Sequence, residues 1–196
     1  DIETMNIISD ELHKIKPDIL LYGEGWTAGA SPLPDSTRAL KKNAAKLRNI
    51  AVFSDDIRDG IKGSVFEIKD RGFASSKKGM EESVKFGIVA ASNHPQVDLS
   101  KVNYSKEAYS KAPWNVIIYS ECHDNNTLWD KLSLSCPEAS SEDITKMQEL
   151  SLAIVLTSQG IPFLHAGTEL LRNKKGVENS YNSGDSINKI NWSWKS

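Results

Sequence analysis

Four short runs of apolar residues constrain the fold more than any other feature of this 196-residue sequence. They are residues 19–22 (ILLY), 50–53 (IAVF), 116–119 (VIIY) and 161–164 (IPFL). Because apolar residues fill these runs instead of alternating with polar ones, each run predicts a strand buried on both faces of a parallel sheet. Longer segments with helical spacing lie between the runs. This order indicates an α/β architecture, built as an open sheet or as a barrel.

Three segments carry the apolar spacing of helices. In the first, apolar residues recur every three or four positions until Pro17, at Ile2, Met5, Ile8, Leu12 and Ile15. The second candidate covers residues 80–91, and the third begins at a capping sequence at Ser140 and continues to Gly160. A run of five basic residues without an intervening acid is interpreted as the solvated face of one helical segment: Arg38, Lys41, Lys42, Lys46 and Arg48.

Composition excludes several classes of protein. The 24 Lys and Arg residues nearly balance the 26 Asp and Glu residues, which argues against binding to nucleic acid or to an anionic membrane. Apolar runs are too short for a membrane span, so none is expected. We expect Cys122 and Cys136 to be free thiols, since a chain of this length does not depend on a disulfide. The sequence lacks repeats and low-complexity linkers, which favours a single domain.

Polar residues follow each of the four apolar runs. Ligands of α/β proteins bind at the carboxyl ends of the strands, so we expect these side chains to form a carboxylate ring around one cleft. They are Glu24, Asp55, Asp56, Glu121, His123, Asp124, Asn125, His165 and Glu169. Converging carboxylates suit glycoside hydrolysis, which needs one carboxylic acid and a second carboxylate. Trp26 and Trp129 are candidates for stacking on sugar rings.

Several motifs together resemble type I pullulanases of the α-amylase superfamily, glycoside hydrolase family 13. Residues 20–27 (LLYGEGWT) resemble the general-acid strand of that group, and residues 120–125 (SECHDN) with 127–132 (TLWDKL) resemble its motif at the seventh barrel strand. Further similarities occur in the same order at residues 53–60 (FSDDIRDG), 163–167 (FLHAG) and 179–183 (NSYNS). The resemblance covers nearly the whole chain. It implies a partial (β/α)8 barrel, roughly strands five to eight preceded by helix four.

The resemblance also implies roles for individual residues. Glu24 would be the general acid/base, and Asp124 would be the second conserved acid, which hydrogen-bonds ring hydroxyls and helps to distort the sugar. His123 would contact the same ring. Weaker candidates for contacts with an α-glucan are Trp26, Asn125, Tyr181 and Asn182. Cys122 departs mildly from the motif, where a small hydroxyl residue is expected.

One departure from the family is larger. The nucleophilic aspartate of the family lies just before a helix that begins much like residues 1–5 (DIETM), and no match to its motif occurs in these 196 residues. We therefore expect residues 1–196 to form the second half of a catalytic barrel and to be inactive alone. A half-barrel would expose two sheet edges, which favours self-association.

The sequence leaves several other functions open. Other members of the superfamily, such as isoamylase, branching enzyme or α-amylase, remain open, as does a non-catalytic carbohydrate-binding module. Gly23, Gly25 and Ala28 fit a dinucleotide-binding turn, but Pro32 and Pro34 interrupt the helix that should follow. We expect no metal or cofactor. Calcium is the alternative at Asp55, Asp56 and Asp59, although this segment lacks the spacing of an EF-hand.

Overall fold

A computed structural model describes residues 1–27 and 29–195 of the chain. Its single sheet has four parallel strands in sequence order: β1 (Leu21–Gly23), β2 (Ile50–Phe53), β3 (Val116–Ile118) and β4 (Ile161–Pro162). All four lie within the apolar runs or within one residue of them. The register pairs Leu21 with Ile50, Val52 with Val116, and Ile117 with Ile161. The α/β fold expected from the sequence is confirmed, in the form of a partial barrel.

Helices connect and precede the strands. They are α1 (Ile2–Ile15), α2 (Asp55–Lys62), α3 (Glu81–Ile88), α4 (Leu128–Ser135), α5 (Ser141–Thr157) and the short α6 (Asp185–Asn188). Short 3₁₀ helices lie in the connections at Asp35–Thr37, Lys41–Lys46, Phe73–Ser75, Leu99–Lys101, Pro113–Asn115, Thr168–Leu170 and Trp192–Lys195. Among the described residues, no helix has the length and apolar character needed to cross a bilayer.

Alternating strand residues divide the sheet into two faces. Ile50, Val52, Val116 and Ile118 point toward the helices and belong to the main core, which also holds Ile57 of α2 and Val155 of α5. Their neighbours Ala51, Ile117 and Tyr119 form a separate cluster on the opposite face. The two central strands, β2 and β3, are therefore buried on both sides, as their dense apolar sequences predict. The prediction is wrong for the edge strands β1 and β4, which are only partly buried and expose Tyr22 and Pro162, because within the described residues each has a neighbouring strand on one side only.

The ends of α1 and α5 follow their capping signals. The Asp1 carboxylate accepts a hydrogen bond from the Thr4 amide, and the Ser140 hydroxyl accepts one from the Asp143 amide. However, the predicted apolar face of α1 is only partly buried, since Ile8 and Ile15 are exposed. The buried positions Asn6 and Ser9 instead bond to the backbone just before β2, so polar side chains fix this helix.

The basic run was interpreted incorrectly as a solvated helical face. Part of it forms the 3₁₀ helix Lys41–Lys46, and the Lys41 side chain is mostly buried. The Lys41 ammonium pairs with Asp55 and, at 2.8 Å, with Asp56 at the start of α2. The run therefore contributes a buried counter-charge, which sequence spacing within the run does not reveal.

Candidate active site

A cleft of about 740 Å³ lies at the carboxyl ends of the strands. Four carboxylates line it, from Glu24, Asp55, Asp124 and Glu178, together with three nitrogen bases, Arg58, Lys62 and His123. Tyr22, Phe53, Tyr119 and Phe163 supply its aromatic surface, and Trp26 and Phe66 lie along it as well. The cleft therefore combines acids with apolar rings, which suits a neutral polyhydroxylated ligand.

The segment after β1 carries Glu24 and Trp26 into the cleft. Both side chains are exposed, and Trp26 retains 39% of its accessible surface. Gly25 between them is buried, and its carbonyl accepts a hydrogen bond from the Lys41 amide at 2.5 Å. A Cβ at this position would lie 2.7 Å from that amide nitrogen. Glycine is therefore required for the backbone contact that holds Glu24 and Trp26 at the strand end.

The loop after β3 carries His123 and Asp124, and buried Glu121 holds its base. One Glu121 oxygen accepts a hydrogen bond from the Leu128 amide at 2.6 Å, and the other accepts one from the Thr168 hydroxyl. Glu121 thus connects the start of this loop to α4 and to the connection after β4. Both exposed side chains at the tip are close to each other, with 3.5 Å between His123 Nε2 and an Asp124 carboxylate oxygen.

Contacts with residues 176–178 complete the wall of the cleft beside this loop. Asn125 adopts a left-handed backbone conformation, and its amide is 3.5 Å from a carboxylate oxygen of Glu178. The Asn126 side chain donates a hydrogen bond to the Gly176 carbonyl at 3.2 Å. These contacts bring Glu178 to the cleft. No sequence pattern indicates Glu178 as a site residue, because its position depends on a contact with Asn125, 53 residues earlier in the chain.

The acidic residues after β2 are neutralised by basic side chains. Lys41 pairs with Asp55 and Asp56, and buried Asp56 also accepts two hydrogen bonds from Ser105 at 2.8 Å. Burial raises the pKa of Asp55, although the nearby Lys41 ammonium opposes this shift. The cluster that suggested calcium is thus already occupied by protein cations. Among the described residues, no group of three or more His, Cys, Asp or Glu side chains is arranged to hold a metal ion.

Arg58 forms the link between this acidic segment and β3. Its guanidinium bonds to Asp59 at 2.5 and 3.1 Å and donates to the Tyr119 hydroxyl at 3.0 Å. The Tyr104 hydroxyl also donates to Asp59, at 2.6 Å. Burial raises the pKa of Tyr119 above its usual value, so this phenol stays neutral. Arg58 is therefore a fixed part of the cleft surface.

Packed aromatic rings form the surface between these polar walls. The Phe53 ring centre lies 4.9 Å from Tyr119, 5.2 Å from Phe163 and 5.8 Å from Tyr22, all with edge-to-face geometry. These four residues come from the ends of four different strands. Their mutual contacts fix an apolar surface beside Glu24 and Asp124.

The structure brings together most of the site residues expected from the sequence. Glu24, Trp26, His123, Asp124 and Asn125 line the cleft. Tyr181 and Asn182 do not line it: both are exposed, and their neighbours Glu178 and Asn179 form this part of the wall instead.

The expected ring of carboxylates is smaller than the sequence suggested. Asp56 and Glu121 are buried in hydrogen bonds, and the Glu169 carboxylate bonds to the Gly167 amide at 3.1 Å. His165 lies behind the cleft, 4.0 Å from Glu121. Trp129 was also assigned incorrectly, since it packs against the cluster of Leu128, Leu132, Cys136 and Ile144.

Cys122 and Cys136 are free, as expected, and burial raises the pKa of the Cys122 thiol. Ala28, part of the alternative nucleotide-binding motif, lies outside the described residues.

The chain is similar in sequence to known pullulanases. The chain is 39% identical to a pullulanase of Bacillus subtilis over 192 residues, which is 98% of this chain and 25% of that protein. It is 33% identical to chloroplastic pullulanase 1 of Arabidopsis thaliana, over 91% of this chain and 22% of that protein. The chain thus spans about a quarter of the length of these relatives. No family model matches it.

Solved structures give the same result for the fold. A pullulanase of Paenibacillus barengoltzii, in complex with maltohexaose and α-cyclodextrin, superposes with a TM-score of 0.87 at 45% identity, over 99% of this chain and 29% of that one. Type I pullulanase of Bacillus subtilis, complexed with maltose, superposes with a TM-score of 0.90 at 38% identity, over all of this chain and 26% of that one.

Sequence and fold together define the class of protein. The four-stranded parallel partial barrel superposes on a segment of solved pullulanases over nearly the whole of this chain. The chain is homologous to a segment of the type I pullulanases.

Proposed function

We propose that this chain is part of the catalytic barrel of a retaining debranching hydrolase, which cleaves α-1,6-glucosidic bonds in pullulan and starch-type glucans. The observation that carries the proposal is the position of Glu24 and Asp124 in one cleft, at the ends of β1 and β3. Pullulanases similar to this chain have been solved with maltohexaose, α-cyclodextrin or maltose. The aromatic surface of the cleft suits ligands of this kind, because apolar faces of sugar rings pack on aromatic side chains.

Glu24 is assigned the role of general acid/base. A retaining mechanism needs a carboxylic acid that protonates the leaving glycosidic oxygen and later activates water. Glu24 suits this role because it lies at a strand end, borders the cleft and retains access to solvent. Asp124 and His123 are assigned to the ring hydroxyls of the sugar at the cleavage point. Trp26 and Asn125 are assigned to further glucan contacts. The proposal involves no metal or cofactor bound by these residues.

The nucleophile of the reaction is assigned to sequence outside these 196 residues, since no match to the family's nucleophile motif occurs here. In this proposal residues 1–196 form the second half of the barrel. A polypeptide of these residues alone therefore lacks the carboxylate that attacks the anomeric carbon, and we expect it to be inactive. Release of reducing sugar from pullulan by the purified 196-residue chain would contradict this assignment.

Substitution of Glu24 tests the catalytic role in the full-length protein. Glu24→Gln keeps the size of the side chain but cannot donate the proton, so turnover of pullulan should fall by at least about 10²-fold while glucan binding persists. Glu178→Gln is the matched control, because it removes another carboxylate from the same cleft. The assignment is wrong if Glu24→Gln retains full activity. Glucan binding by the parent protein without any turnover of pullulan would favour a carbohydrate-binding module.

Self-association of the 196-residue chain is a second part of the proposal. Strands β1 and β4 each pair with one neighbour, so within residues 1–27 and 29–195 both have an edge without a strand partner. Tyr22 and Leu164, beside these edges, are exposed. We expect light scattering to show dimers or larger species as the concentration rises. A monomeric mass throughout the concentration series would contradict this expectation.

A further inference from the structure

Lys62, the last residue of α2, combines two features that oppose each other. Its side chain is buried, with only 1% of the residue accessible, yet it lines the cleft. Among the described residues, its ammonium group makes no hydrogen bond or ion pair within hydrogen-bonding distance. An ammonium group has three hydrogen atoms to donate, and the Lys62 Nζ is not sealed from the cleft, so its acceptors are oxygen atoms of water or of a ligand there.

The neighbouring acids cannot supply the missing acceptor at their present positions. Glu121 and Asp59 both act electrostatically on Lys62. However, Glu121 accepts from the Leu128 amide and the Thr168 hydroxyl, and Asp59 accepts from Arg58 and Tyr104. Both carboxylates are bonded to other donors, and among the described residues neither lies within hydrogen-bonding distance of the Lys62 ammonium. The cleft is the remaining direction in which Lys62 can find an oxygen atom.

The charge of the cleft determines the type of ligand that suits Lys62. Four carboxylates border the same cleft, so a phosphate or carboxylate ligand would be repelled. A sugar hydroxyl is neutral, and its oxygen accepts a hydrogen bond from an ammonium while its hydrogen is donated to a carboxylate such as Asp124. Arg58 is the other basic side chain at the base of the cleft, but Asp59 and Tyr119 already occupy its guanidinium.

We propose that Lys62 is a substrate-binding residue that donates a hydrogen bond from the base of the cleft to a hydroxyl of the bound glucan. This inference rests on the proposed function. It adds a specific donor to a site whose expected members otherwise consist of acids, an imidazole, amides and aromatic rings. A ligand oxygen then replaces water as the acceptor for the buried ammonium, and this exchange favours the ligand that places a hydroxyl there.

Binding measurements on the full-length protein test this role. Glu24→Gln serves as the background, so that the glucan is not consumed, and maltotriose affinity is measured by isothermal titration calorimetry. Lys62→Met removes the donor but keeps the length of the side chain, and we expect it to weaken binding about tenfold or more. Lys62→Arg retains a charged donor and should recover part of the affinity. Lys78→Met, at an exposed lysine outside the cleft, should bind like the background.

A thermal unfolding scan distinguishes substrate binding from a structural role. If Lys62 only supported the fold, Lys62→Met would lower Tm together with affinity. Here Tm should stay the same or rise, since the substitution removes a charge that burial of the side chain disfavours. Equal affinity of Lys62→Met and the background would overturn the inference while leaving the proposed function intact. A background protein that binds no maltotriose would instead overturn the proposed function.

Discussion

Burial of the Lys62 ammonium makes stability depend on pH in a direction that can be calculated. Burial lowers the pKa of Lys62 from 10.5 to about 8, because the charged form loses hydration. Glu121 and Asp59 oppose this shift, and Arg58 adds to it. Between pH 8 and 10.5 the unfolded chain therefore binds more protons than the folded chain, so stability rises with pH across this window. Each pKa unit corresponds to about 1.4 kcal/mol, so the shift from 10.5 to about 8 changes the free energy of unfolding by about 3 kcal/mol across this window.

Replacement of Lys62 by methionine should remove this dependence. Below pH 8 the variant should be more stable than the parent by up to about 3 kcal/mol, and the difference should disappear as the pH approaches 10.5. Urea unfolding of parent and variant at pH 7, 8.5 and 10 measures the difference directly. Lys78→Met should leave the pH profile unchanged. A Lys62→Met variant that is less stable than the parent by the same amount at every pH would show that burial does not disfavour the charge of Lys62.

Three further substitutions test the packing around the site. Gly72→Ala should lower the free energy of unfolding by about 1–3 kcal/mol, because a Cβ there would lie 2.3 Å from the Ile61 carbonyl oxygen. Gly184→Ala is the control and should change this free energy little, since no atom would lie within 4 Å of its Cβ. The midpoints of urea unfolding compare the two variants. Glu121→Gln should lower the free energy of unfolding by about 1–3 kcal/mol, since a carboxylate that accepts two hydrogen bonds becomes an amide with one oxygen acceptor. An unchanged Tm would contradict that role. Trp129→Ala should lower Tm without weakening glucan binding, and an unchanged Tm with weaker binding would return this side chain to the cleft.

Strand positions could be predicted from the sequence because each strand overlaps a dense apolar run, although only β2 and β3 bury both faces. Each dense apolar run contains a strand or lies within one residue of it, and the polar residues after these runs lead to the cleft. Glu24 and Asp124 could be selected in this way because strand order determines where their loops meet. Helices α2 and α4 were not predicted, since each has only eight residues and few turns over which a period can repeat.

Residues whose roles depend on distant partners were less predictable. Glu121 follows an apolar run just as Glu24 does, but the contact with Thr168 buries it behind the cleft. Lys41 belongs to a basic run, and only the folded structure brings it to Asp55 and Asp56. Lys62 stands near the end of a motif rich in charged residues, and nothing in its spacing indicates a buried side chain at the cleft. Contacts between distant segments decide each of these cases.

The products that the full-length protein forms from pullulan show directly whether it is a debranching hydrolase. Pullulan consists of maltotriose units joined by α-1,6 bonds, so cleavage at these bonds alone releases maltotriose. We expect maltotriose as the end product and the loss of this activity in Glu24→Gln, with Glu178→Gln retaining substantial turnover. Products cut at α-1,4 bonds, or equal activity of Glu24→Gln and the parent, would contradict the assignment of a debranching hydrolase with Glu24 as its general acid/base.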